Sequence, residues 1–151
     1  MRKAIYLMAA MILCLTALAG CSAQSGAANA SGLTIDVAEL TGDVSFIDYN
    51  AGGTAMQLLA RVDENGTPKL SYNTCQSCNG SPYAYFEVVD DLLVCRNCGN
   101  LFTFDTIGEK QAYGCLPIAV DEYTVEDGQV IVSAETLEGM KSAFANWKKG
   151  L

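Results

Sequence analysis

The chain contains no histidine. That absence removes imidazole metal ligands, histidine-ligated haem and every nucleophile that depends on a histidine base. Positive charge is also scarce: nine Lys and Arg stand against seventeen Asp and Glu, for a formal net charge of −8. Two of the nine, Arg2 and Lys3, sit at the N-terminal end. Such a chain has no electrostatic footprint for nucleic acid, and its acidity reads first as a solubilising surface. The carboxylates form no acid, base or nucleophile constellation; Asp90-Asp91 and Asp121-Glu122 read as solvated loop charges. No catalytic residue is expected, and the chain is not expected to be an enzyme. Long apolar runs are missing as well. The one from Ala4 to Leu18 falls short of the ~20 residues a permanent membrane helix needs.

That apolar run instead reads as part of a secretory signal, because Arg2 and Lys3 precede it and small residues follow it. Leu18-Ala19-Gly20-Cys21 resembles the lipobox of bacterial lipoproteins. The resemblance implies that Cys21 carries lipid, palmitate included, and becomes the first residue of the mature chain. An ordinary signal peptide, cut between Ala23 and Ala30, is the alternative. The organisation expected is a lipoprotein signal peptide over 1–20, a lipidated cysteine and flexible tether over 21–32, and one metal-binding domain over 33–151. The tether, Ser22 to Gly32, has no charge and no bulky side chain, and as a random coil it reaches ~18 Å.

The domain is expected to be mainly β, of the α+β kind. It is a small antiparallel β domain with two cysteine knuckles of the zinc-ribbon or rubredoxin type and a C-terminal helix. Val44, Phe46 and Ala55 to Val62 read as strands around a Gly52-Gly53 turn. Asp63-Glu64-Asn65-Gly66 reads as a hairpin turn through the Asn-Gly pair, leading to a strand over Lys69 to Tyr72. Tyr83 to Val89, Leu92 to Val94, Leu101 to Phe104 and Gln129 to Val132 are aromatic or β-branched and read as further strands. After Ser133 as N-cap, Leu137, Met140, Phe144 and Trp147 recur at helical spacing.

Of seven cysteines, Cys14 leaves with the signal and Cys21 takes lipid, so the domain keeps Cys75, Cys78, Cys95, Cys98 and Cys115. Two C-x-x-C pairs separated by sixteen residues match the spacing of tetrahedral four-thiolate sites. A two-residue gap lets both thiolates of a pair point at one ion, and Gly99 after Cys98 allows the backbone to turn its amides toward the sulfurs. Four thiolates suit Zn²⁺, a single iron or an iron-sulfur cluster; spacing favours zinc, while the aromatic residues Tyr72, Tyr83, Tyr85, Phe86, Phe102 and Phe104 could exclude water around a redox centre or simply be core. Two rivals remain. Redox-active C-x-x-C requires a helix after the first cysteine, whereas turn and strand patterns follow here. Structural disulfides are chemically open to an exported chain. Cys75, Cys95 and Cys115 also lie twenty residues apart, a weak internal echo.

Cys75-Gln76-Ser77-Cys78, Val94-Cys95-Arg96-Asn97-Cys98-Gly99, Ile107-Gly108 and Gly114-Cys115-Leu116-Pro117-Ile118, in that order, resemble the FtrD-like membrane iron-sulfur proteins found with bacterial iron-permease systems. The resemblance spans roughly Ala55 to Ile118 plus the closing strand and helix. It implies an iron-sulfur cluster or iron held by Cys75, Cys78, Cys95 and Cys98, and a role in electron transfer or iron transport. It further implies an iron permease or redox partner in the membrane, with the chain lipid-anchored on the extracytoplasmic face of the cell membrane. Cys115 belongs to the family pattern and reads either as an auxiliary ligand or as a buried thiol. Where the family tends to continue Cys-Asn-Pro-Ile-Pro, this chain has Leu116 and Ala119. Where some members have a multi-span membrane portion, the lipid on Cys21 is expected to take its place here. A zinc-ribbon interaction module without redox activity is the alternative function.

Overall fold

Alternating apolar residues and tight turns give ten short strands among the described residues, paired throughout in antiparallel fashion. The structure, a computed structural model, describes residues 32–151. The expected signal peptide, Cys21 and nearly all of the tether lie outside the described residues. In chain order the strands are β1 (Leu33–Asp36), β2 (Ser45–Ala51), β3 (Thr54–Val62), β4 (Pro68–Cys75), β5 (Phe86–Val89), β6 (Leu92–Cys95), β7 (Leu101–Phe102), β8 (Pro117–Ala119), β9 (Thr124–Glu126) and β10 (Gln129–Val132); helix α1 (Ala134–Gly139) follows. They form a four-stranded sheet β2-β3-β4-β8 and two three-stranded sheets, β1-β10-β9 and β5-β6-β7. The mainly β expectation therefore holds.

Strand β3 explains why two cores form. Met56, Leu58 and Ala60 point into one, whereas Leu59 points into the other, as the two-residue period of a strand demands. The larger core joins Leu33, Ile35, Val130 and Val132 to Tyr72, Leu137 and Phe144. The smaller core is built from Leu59, Ala84, Phe86, Leu93 and Ile107 together with Cys75 and Cys95. Strand β4 serves both, with Leu70 and Tyr72 on one side and Cys75 on the other.

Several local expectations need correction. At the β3–β4 turn only Gly66 takes a left-handed φ (77°); Asp63, rather than an Asn-Gly pair, organises the loop, its carboxylate accepting from the amides of Asn65 and Thr67 at 2.9 Å each. Strand character after the second cysteine pair ends at Phe102, and Phe104–Thr106 is a 3-10 turn. The C-terminal helix is shorter than its apolar stripe predicts. Ser133 does cap it, accepting from the Thr136 amide at 3.1 Å, but α1 stops at Gly139, and Lys141–Phe144 continues as a 3-10 turn. Glycine's poor helix propensity accounts for the break. Leu137 and Phe144 still reach the large core, because the tighter winding keeps them on one side. Strands β8 and β9 were not expected; three-residue strands are too short to leave a periodic signal.

Candidate metal centre

Both C-x-x-C pairs begin on the last residue of a strand. Cys75 ends β4 and Cys95 ends β6, so the sheet fixes the first sulfur of each pair and a turn presents the second. The two turns are alike. The Cys75 sulfur accepts hydrogen bonds from the amides of Ser77 and Cys78; the Cys95 sulfur accepts them from Asn97 and Cys98. Cys98 in turn accepts from the Asn100 amide. Gly99, at φ 75°, makes the second turn possible, since a side chain is disfavoured in that conformation.

The two knuckles meet because β5 and β6 form a hairpin that folds back onto β4. Its turn is Asp90-Asp91, both at positive φ (47° and 61°), the geometry of a two-residue hairpin turn. These residues, expected as loop charges, shape the chain. Asn73 holds the hairpin in place: fully buried, it accepts from the Phe86 amide at 2.7 Å and donates to the Phe86 carbonyl at 3.2 Å. Its side chain thus acts as one rung of a β-ladder. Gln57 accepts a further bond from it at 2.7 Å, and Trp147 Nε1 donates to its carbonyl at 2.7 Å. A lone asparagine between Tyr72 and Thr74 carries no sequence signal of such a role.

A third segment brings Cys115. The Gln76 amide donates to Leu116 O at 2.9 Å, Ser77 Oγ donates to Gly114 O at 2.6 Å, and Gln76 Nε2 donates to Gln111 O at 3.0 Å. The first knuckle therefore grips the chain on both sides of Cys115. Upstream, Ile107 is buried against Cys75 and Cys95. Gly108, at φ 83°, donates its amide to the buried Ser71 hydroxyl at 2.9 Å. Leu116 and Ala119, the departures from the family pattern, are both buried.

The five sulfurs converge, and all five cysteines are free thiols. They fall into two overlapping triads, Cys75/Cys78/Cys95 and Cys78/Cys98/Cys115, with the sulfurs of each within 4.8 Å of one another. Cys98 and Cys115 are 3.5 Å apart. Cys75 and Cys95 are completely buried, Cys78 and Cys115 partly so, and Cys98 is exposed. Burial pushes the Cys75 thiol far up and raises Cys95 from 9.0 to about 11. At Cys98 partial burial acts upward, but the Asn100 amide and neighbouring sulfurs outweigh it and the thiol is lowered. Cys115 is held above its ordinary value because its thiol proton is shared with the Cys98 sulfur, the member of the pair that ionises first. A dithiol nucleophile needs a lowered first cysteine at a helix N-terminus; Cys75 and Cys95 are raised and end strands. Of the aromatic residues expected around the cysteines, Phe86, Phe102 and Phe104 are there. Tyr72 belongs to the other core, Tyr85 stacks edge-on against Trp147, and Tyr83 is exposed.

This defines a class: a small antiparallel β protein whose clustered free thiols could hold a soft metal. The class narrows further, because the family described as "Membrane iron-sulfur containing protein FtrD-like" matches residues 40–144, and the chain belongs to that family. No curated protein and no solved structure matches it. The donor set fits the group the family description names, since thiolates are the usual ligands of iron-sulfur clusters and single iron alike. The family is described as membrane-associated. Among the described residues, no helix is long and apolar enough to cross a membrane.

Proposed function

We propose that this chain is a lipid-anchored extracytoplasmic protein that holds an iron-sulfur cluster or iron on its cysteines and passes electrons, or iron, to a membrane transport partner. The observation that carries this reading is the convergence of five free thiols in a member of an iron-sulfur family. Cys75, Cys78, Cys95 and Cys98 are the proposed ligands, with Cys115 as an additional one. When bound, the group would supply one-electron chemistry or a store of iron.

The chain's own residues would set its properties. Amides of Ser77, Cys78, Asn97, Cys98 and Asn100 directed at the sulfurs stabilise negative charge there and raise a reduction potential. Phe86, Phe102 and Ile107 keep water from the inner side, while Cys98 stays open to a partner. Lipid on Cys21 would tether the domain, and no catalysis of its own is assigned to it. Anaerobic purification followed by metal and acid-labile sulfide analysis, visible absorption and EPR tests this reading. Iron with an EPR signal is expected; colourless protein with stoichiometric zinc would establish the interaction module instead.

A further inference from the structure

The five sulfurs do not form a quartet with one bystander. A single tetrahedral ion with metal–sulfur bonds of ~2.3 Å needs its four sulfurs all ~3.8 Å apart. Here the mutually close sets are two triads with Cys78 in common. We propose that the centre has two metal positions bridged by the Cys78 sulfur: an inner one at Cys75, Cys78 and Cys95, and an outer, exchangeable one at Cys78, Cys98 and Cys115. The outer position takes a second thiophilic divalent cation of the first transition series, Fe²⁺ on the reading above, on which this inference rests.

Three observations support it. First, Cys115 is built in: its neighbours Gly114 and Leu116 are both bonded to the first knuckle, through Ser77 Oγ and the Gln76 amide. Its sulfur lies 3.5 Å from that of Cys98, well beyond the ~2.05 Å of a disulfide and close to the separation of two ligands on one ion. Second, charge favours a second ion. Four thiolates around one divalent ion, with Cys115 left as a neutral thiol, leave two uncompensated negative charges, whereas five thiolates around two such ions leave one. Local basic residues do not make up the difference, because Arg96 pairs with Glu87 at 3.2 Å and Lys110 with Asp121 at 2.9 Å. Uncompensated charge in a partly buried site is costly. Third, the two positions differ in access. Cys75 and Cys95 are sealed in the small core, whereas Cys98 is exposed, so the outer ion has a coordination vertex facing solvent, as exchange with a donor or acceptor requires. Each thiol that becomes a ligand releases its proton to solvent.

The test uses the full chain in detergent, reduced and freed of metal under argon, then titrated with Co²⁺ or Zn²⁺ and counted by native mass spectrometry. Two ions per chain are expected, the first held more tightly. Cys115→Ser should retain the first ion and weaken the second at least tenfold; Cys98→Ser should do the same, and Cys78→Ser should weaken both. Circular dichroism of each variant establishes that it is folded, and Ser77→Ala, which frees the Gly114 carbonyl while leaving every sulfur in place, should weaken the second ion selectively. One ion per chain, unaffected by Cys115→Ser and lost with Cys98→Ser, would overturn the proposal in favour of a single four-thiolate site. The two readings fail separately: one ion in a protein that carries iron as purified sinks only the second position, whereas two ions in a protein that carries zinc as purified sinks only the iron reading.

Discussion

Asn73 shows how much of the site depends on a side chain that cannot touch a metal. Its amide satisfies both the N–H and the C=O of Phe86, and so ties the hairpin carrying Cys95 to the strand carrying Cys75. Asn73→Ala would leave both backbone groups buried without a partner. A loss of about 2–6 kcal/mol is expected, at ~1–3 kcal/mol for each of the two unsatisfied groups, and it would be read by chemical denaturation alongside metal content. The thiols themselves set a pH dependence. Cys95 is raised from 9.0 to about 11 in the folded chain, so the metal-free fold binds this proton more tightly than the unfolded chain does. Its contribution is fully present below pH 9 and is lost as pH rises through 11; Cys75 shifts in the same direction. Metal-free protein should therefore lose stability across that alkaline window. Metal-loaded protein, whose ligands are already deprotonated, should not, and should release metal on acidification instead. Denaturation midpoints at pH 8 and pH 10.5, with and without metal, would check both signs.

The β5–β6 hairpin and the Ile107-Gly108 corner place the second knuckle and the Cys115 segment. Asp90 and Asp91 occupy left-handed backbone that glycine adopts without strain. Asp91→Gly should therefore stabilise the chain by about 0.5–1 kcal/mol, measurable as a raised thermal midpoint. Gly108→Ala should act oppositely, since its φ is 83° and an added Cβ would lie 3.3 Å from Lys69 Cβ; about 1–2 kcal/mol is expected. At this scale the sequence was partly legible. The long strand β3, the β-branched run of β10 and the Ser133 cap follow directly from residue type and period. The cysteine pairs are legible because metal-binding spacing is local. What was hidden depends on contacts distant in sequence: the two-sided burial of β3, the Asn73 rung, the Ser77 and Gln76 grip on the Cys115 loop, and the break of the helix at Gly139. Cys115 could be listed from composition, but its position 3.5 Å from Cys98 is a property of the fold.

In the whole molecule, the two cores divide the labour. The larger one, closed by Tyr72, Leu137 and Phe144, has no sulfur ligand in it. The smaller one contains Cys75 and Cys95 among its walls, so the proposed metal would be linked to its integrity. Stripping metal from reduced protein should accelerate amide exchange around Phe86, Leu93 and Cys95 by roughly tenfold or more, equivalent to ~1.4 kcal/mol of local stability, while Leu58 and Val130 remain protected. Equal loss at both cores would mean that they unfold as one unit. X-ray absorption at the iron edge, on anaerobically purified full-length chain, decides whether these cysteines form an all-sulfur iron centre. Bound iron with a nearest shell of sulfur alone is expected, and a Cys75→Ser variant should lose it. Absent iron, or a shell dominated by oxygen and nitrogen, would contradict that expectation.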